Sequence, residues 1–114
     1  MNTKDKINYI SDWIKTYAET NNFKSLVIGI SGGIDSAVTS TLSAKTGLKT
    51  IVANMPILDH KATNDRGLSH ISWLKKNFEN VEDLKIDLSV VFENFKNALN
   101  SIIRNTVMQI LKHE

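Results

Sequence analysis

A chain of 114 residues, 41% hydrophobic and 23% charged, has apolar material for one core and too little length for two full domains. Fourteen Lys and Arg against twelve Asp and Glu leave a net charge of +2, which argues against nucleic acid as the main partner. The lack of Cys excludes disulfides, thiolate metal sites and cysteine nucleophiles, and fits a reducing cytoplasm.

In chain order, Ile7, Ile10, Ile14, Tyr17 and Ala18 recur at helical spacing and predict a helix over Asp5 to Thr20, closed by Asn21-Asn22. No apolar h-region follows the lysines near Met1, so no secretory signal is expected. Ser25 to Ile30 is a short, continuous apolar run, as expected of a strand buried on both faces. Leu26 to Ile30 is the longest such run, too short to span a membrane. A turn over Ser31 to Ile34 leads to a helix over Asp35 to Lys45, stopped by Gly47. Thr50 to Met55 reads as a second strand, closed by Pro56. A helix around Asn64 to Phe78 carries Leu68, Ile71, Trp73, Leu74 and Phe78 on its inner side, with Trp13 and Trp73 expected as core anchors. Leu84 to Leu88 is a weaker third strand, and Val90 to Leu99 and Ile102 to Leu111 read as two further helices.

Strands alternating with helices at these lengths predict an α/β fold, a parallel sheet with helices on both faces and right-handed crossovers. In such sheets ligands bind beyond the carboxyl ends of the strands. The loop after the first strand reads Gly29-Ile30-Ser31-Gly32-Gly33-Ile34-Asp35-Ser36. Two adjacent glycines allow positive φ and turn several N–H groups toward one point, at the start of a helix whose dipole favours an anion. Ser31 and Ser36 add hydroxyls, so Gly29, Ile30, Ser31, Gly32, Gly33, Ile34, Asp35 and Ser36 form the candidate phosphate site. A bare carboxylate about 4 Å from a phosphate charge costs roughly 4 kcal/mol at an effective dielectric of 20. Mg²⁺ between them reverses that sign, which makes Asp35 the candidate metal ligand.

Other motifs compete for the same residues. A Walker A loop requires a Gly-Lys pair that is missing, and Gly29, Gly32 and Gly33 lack dinucleotide-fingerprint spacing. Gly29-Ile30-Ser31-Gly32-Gly33 is also a literal G-x-S-x-G, with Asp59 or Asp87 and then His113 in the order a hydrolase triad needs. That fold requires a larger sheet, and His113 lies at a terminus. His60 and His70 lack metal-ligand spacing, and His70 is expected to be a half-buried helix residue. Asp59-His60-Lys61 is expected to be a solvated loop.

Ser31-Gly32-Gly33-Ile34-Asp35-Ser36 resembles the phosphate loop of the ATP pyrophosphatases that split ATP between its α- and β-phosphates. With Trp13-Ile14, Val27 to Ile30, Ala37-Val38, Ala44 to Leu48, Met55-Pro56, Phe92 and Phe95-Lys96, the chain resembles the first part of the ammonia-dependent NAD synthetases over roughly residues 5–100. The resemblance implies an adenine-nucleotide alpha hydrolase-like (Rossmann-like) fold. It also implies ATP held by Gly29 to Ser36, Mg²⁺ on Asp35, and nicotinic acid adenine dinucleotide and ammonia as the other substrates. Residues 101–114 depart from the family pattern, so residues 1–114 are expected to be the N-terminal part of one such domain, incomplete as it stands. In that fold the first strand lies mid-sheet. Its outer edge, Leu26 to Ile30, is then expected to pair with a second copy in a homo-oligomer or be covered by residues 100–112. An amidating domain of the GMP synthetase type and a non-catalytic ATP-binding module are the alternatives.

Overall fold

The computed structural model describes residues 1–54, 61–86 and 89–112. Seven elements follow in chain order: α1 Thr3–Thr20, β1 Ser25–Ile30, α2 Ile34–Ala44, β2 Lys49–Asn54, α3 Lys61–Asn77, β3 Val81–Lys85 and α4 Ser89–Lys112. Asn2 caps α1, its side chain accepting the Asp5 N–H at 2.8 Å, and Asn22 leaves the helix with φ 60°. Gly47 supplies the left-handed residue, φ +80°, just past α2.

The three strands are parallel, in the order β1-β2-β3. Register sets Leu26, Thr50 and Val81 in one row and Ile28, Val52 and Asp83 in another, all toward α2 and α3. Ile30, Ala44, Val52, Ile71, Leu74 and Val81 form the buried core, with Ile28 and Phe78 packed on its margin. Ser40, Ser43 and Ala44 let α2 lie close to the sheet, and both hydroxyls return a hydrogen bond to a carbonyl one turn back, Ser40 to Ser36 O at 2.7 Å and Ser43 to Thr39 O at 2.8 Å. α1 packs against α2, with Ser11 donating to Leu42 O at 2.9 Å.

The sequence-based expectations hold for α1, β1, α2 and β2 to within a residue or two; Met55 itself lies outside the described residues. α3 begins at Lys61 rather than Asn64. β3 begins three residues before the expected Leu84, and Asp87 and Leu88 lie outside the described residues. Its register comes from backbone bonds, Thr50 N to Asn80 O at 2.9 Å and Ile86 N to Asn54 O at 2.8 Å. The Asn80 side chain adds to this by donating to Ala44 O at 2.9 Å and Leu48 O at 2.7 Å. The expected pair of C-terminal helices is one helix of 24 residues, because Asn100-Ser101 holds neither Gly nor Pro to break it. Trp13 and Trp73 are not core anchors: they are 58% and 48% exposed, Trp13 stacking on Tyr17 and Trp73 on His70.

Helices α2 and α3 are neighbours on one face of the sheet. On the other face Val27 is 66% and Leu84 49% exposed, and the second helical layer expected there is not found among the described residues. The outer edge of β1 is likewise unpaired among the described residues, and α4 does not cover it; Val91, Phe95, Leu99, Ile102 and Ile103 of α4 are exposed.

Candidate functional site

The site begins where β1 stops. Ile30 is buried beneath the turn, Ser31, Gly32 and Gly33 cross directly to α2, and the loop stands at the carboxyl end of the strand. Only one of the two glycines takes a positive φ: Gly32 has φ +84°, whereas Gly33 is the helix N-cap in extended conformation, φ −92° and ψ 171°. A Cβ on Gly32 would lie 2.2 Å from the Thr63 carbonyl oxygen and 2.8 Å from its Cγ2. The loop is therefore pressed against the first turn of α3.

Two serine hydroxyls hold the turn from inside. Ser36 Oγ donates to Gly33 O at 3.3 Å and accepts the Ser31 N–H at 3.1 Å. Ser31 Oγ lies 3.0 Å from Ser36 Oγ and accepts the Gly33 N–H at 3.1 Å. One proton arrangement satisfies all four contacts, with Ser31 donating to Ser36 and Ser36 to Gly33. The amides of Ile34, Asp35 and Ser36 precede the first intrahelical bond, Ala37 N to Gly33 O at 3.3 Å. They stand at the positive end of the α2 dipole, the arrangement that binds phosphate oxygens.

A face of α3 completes the site. Thr63, Gly67 and His70 recur at helical spacing, with Arg66 beside them. Arg66 Nε donates to Gly32 O at 3.3 Å and Nη2 to Thr63 Oγ1 at 3.2 Å. Gly67 is buried, and a Cβ there would meet Ile30 Cγ2 at 3.3 Å and Gly32 N at 3.7 Å, so its missing side chain lets the helix approach the strand end. His70 Nε2 lies 2.9 Å from Ser40 Oγ. Ser40 gives its proton to Ser36 O, which leaves Nε2 as the donor in that contact. Burial pushes the imidazole pKa down from 6.5, and a hydrogen bond to the Ala37 backbone pulls the other way. Ile30, Gly32, Gly33, Ser36, Arg66 and His70 line a cavity of about 190 Å³ at the loop mouth.

Of the residues expected from sequence, Ser31 to Ser36 come together here. Gly29 sits within β1 opposite Ala53, and Ile30 serves as the floor. Asp35 is exposed in the first turn of α2 and brings one carboxylate to the loop; no cluster of three or more His, Asp or Glu able to hold a metal occurs among the described residues. Asp59, His60, Asp87 and His113 lie outside the described residues, while Lys61 opens α3 and His70 is half-buried as expected. Thr63, Arg66 and Gly67 were not legible as site residues; the available signal was a lone Gly beside an Arg in a helical stretch.

The NAD synthase family pattern matches residues 6–112. The chain belongs to the NAD synthase family. The NH(3)-dependent NAD(+) synthetase of Saccharolobus solfataricus is 33% identical over 93% of this chain and 43% of its own length. Among solved structures, an NMN synthetase from Francisella tularensis superposes with a TM-score of 0.76 at 28% identity, over 89% of this chain and 41% of that one. An NH3-dependent NAD synthetase from Campylobacter jejuni gives 0.71 at 26%, over 86% and 42%. The chain thus spans less than half the length of these NAD synthase relatives. No described helix is long and apolar enough to cross a membrane.

Proposed function

We propose that this chain supplies the ATP-binding part of an ammonia-dependent NAD synthetase, a ligase acting in NAD biosynthesis. The supporting observation is the loop Ser31 to Ser36, which its two serines hold together from inside while the amides of Ile34, Asp35 and Ser36 stand unbonded among the described residues at the start of α2, in a chain of the NAD synthase family. In the proposed reaction a carboxylate oxygen of nicotinic acid adenine dinucleotide attacks the α-phosphorus of ATP, and the bond to pyrophosphate breaks. Ammonia then adds to the acyl carbon, AMP leaves with the bonding oxygen, and loss of a proton gives the amide of NAD.

In this reading residues 29–36 hold ATP. The amides of Ile34, Asp35 and Ser36 orient the phosphates, and Gly32 lets the backbone approach them closely. Asp35 fits a Mg²⁺ ion of the kind held by one carboxylate together with phosphate oxygens. Bound there, the ion would neutralise charge on the leaving pyrophosphate. Residues 1–114 act as one ATP-pyrophosphatase-type unit in the cytoplasm; the family match reaches residue 112 and so includes most of the segment 101–114 that was expected to depart from it. The exposed apolar residues of α4 and the β1 edge, unpaired among the described residues, make homo-oligomer formation part of the same proposal.

A second reading replaces the dinucleotide by its mononucleotide, favoured by the TM-score of 0.76 to the NMN synthetase. Calorimetry with MgATP tests the binding step. Binding that Gly32→Val removes supports the proposal, and no binding by the parent refutes it. Assays with ammonium and either acid substrate, following AMP and the amidated product, then discriminate the two readings.

A further inference from the structure

The loop offers the free amides at the start of α2 but no cation. Arg66, from α3, lines the same cavity of about 190 Å³ together with Gly33 and Ser36. Its guanidinium is fixed rather than free: Nε is anchored on Gly32 O at 3.3 Å and Nη2 on Thr63 Oγ1 at 3.2 Å. Both anchors are neutral oxygens. The ion pairs among the described residues are Lys49–Glu82 and Lys75–Asp83, so no described carboxylate neutralises Arg66. Two of its N–H donors are occupied, and the rest of the fork has no partner among the described residues.

A planar, permanently charged fork, held at the rim of an amide-lined cavity without a counter-ion among the described residues, has the chemistry that recognises phosphate oxygens two at a time. From this geometry we infer that Arg66 binds the pyrophosphate end of ATP, together with the α2 amides, and stabilises the charge that develops there as pyrophosphate leaves. The inference rests on the ATP-binding reading above and adds to it a contact from α3. The anchor to Gly32 O couples α3 to the loop. The carbonyl of the loop residue that presses on α3 holds the cation, while neighbouring amides of the loop hold the anion.

The test uses the full chain and its Arg66→Gln and Arg66→Lys variants, titrated calorimetrically with MgATP, magnesium pyrophosphate and AMP at low and high salt, with thermal melts alongside. Arg66→Gln should weaken MgATP and pyrophosphate about tenfold or more, because hydrogen bonds to a charged partner are lost. AMP affinity and the melting temperature should stay at parent values, and the salt dependence of pyrophosphate binding should become shallower. Arg66→Lys should recover the charge but only part of the affinity, lacking the fork. Unchanged pyrophosphate affinity in Arg66→Gln overturns the inference and leaves the ATP-binding reading standing. Equal weakening of all three ligands with a lower melting temperature also overturns it, since Arg66 then only docks α3. A parent that binds neither MgATP nor pyrophosphate overturns both the inference and the reading beneath it.

Discussion

Replacing Gly32 by Ala separates two costs that the structure makes distinct. The first is conformational: at φ +84° an L-residue costs about 1–2 kcal/mol relative to glycine. The second is steric, because the added Cβ would lie 2.2 Å from the Thr63 carbonyl oxygen, a backbone atom that cannot rotate away. Overpacking of this kind costs about 1–3 kcal/mol once the surroundings relax. The sum is roughly 2–5 kcal/mol, against a total stability on the order of 5–15 kcal/mol for a domain. Gly47→Ala is the internal control, since Gly47 has φ +80° with nothing within 4 Å of an added Cβ and so reports the conformational cost alone. Thr63→Ala combined with Gly32→Ala should rescue little, because it removes the Cγ2 contact and leaves the carbonyl. Urea unfolding followed by circular dichroism measures all four proteins, with MgATP calorimetry alongside. Gly32→Ala should exceed Gly47→Ala by about 1–3 kcal/mol and lose MgATP affinity. Equal destabilisation by the two, or full rescue by Thr63→Ala, would refute the argument that α3's backbone is pressed on the loop.

Asp35→Asn should leave metal-free ATP binding intact and remove most of the enhancement by Mg²⁺, read as the ratio of affinities with and without the metal; an unchanged ratio assigns the ion elsewhere. His70 has its pKa lowered from 6.5, so the unfolded chain takes up the proton first on acidification. Its contribution to stability is complete above about pH 6.5 and is lost as pH falls from there through the folded value. His70→Gln should therefore flatten the dependence of the urea midpoint on pH between neutral and mildly acid solution, and a slope identical to the parent's would contradict the burial argument. On α4, Phe92, Phe95, Leu99 and Ile102 recur three or four residues apart and are all exposed. Phe95→Asp with Ile102→Asp should lower the mass measured by sedimentation equilibrium, whereas a parent already monomeric at the same concentration would show that this helix does not associate.

Much of the site was legible because its signals are local. The apolar run Leu26 to Ile30 ends at a glycine pair and a helix start, so the strand, the turn and the direction of the amides follow from neighbouring residues. The second glycine shows where local reasoning stops: Gly33 is extended, and its use lies at the N-cap, while Gly32 alone needs the left-handed region. β3 was displaced because Glu82 and Asp83 look unlike a strand, yet backbone bonds from Thr50 and to Asn54 fix it, and neither is visible in the segment itself. Both tryptophans were misplaced by the rule that aromatics bury. Trp73 lies over the His70 ring at the edge of a groove of about 600 Å³ between α1, α2 and α3, half in solvent. Arg66 and Thr63 were missed because their role exists only when α3 crosses the end of β1.

That crossing makes the loop and α3 one unit. Gly32 and Gly67 come from segments more than thirty residues apart in sequence, and each lacks a Cβ at the same contact. A side chain on Gly32 would push the helix from the strand end and carry Arg66 and His70 away from the loop amides together, whereas one on Gly67 would first press on the Ile30 side chain at 3.3 Å. The geometry of the phosphate loop and the docking of α3 are therefore a single equilibrium. A ligand that engages the loop amides must stabilise the helix contact as well. At a hundred times its Kd such a ligand adds about 2.7 kcal/mol to the folded state. Hydrogen exchange of the buried amides at Ile71 and Leu74, remote from any phosphate, would then slow in MgATP by the same free energy as amides of α2. An effect confined to α2 would mean that the loop closes on its ligand without the helix, and that the two glycines only fill space.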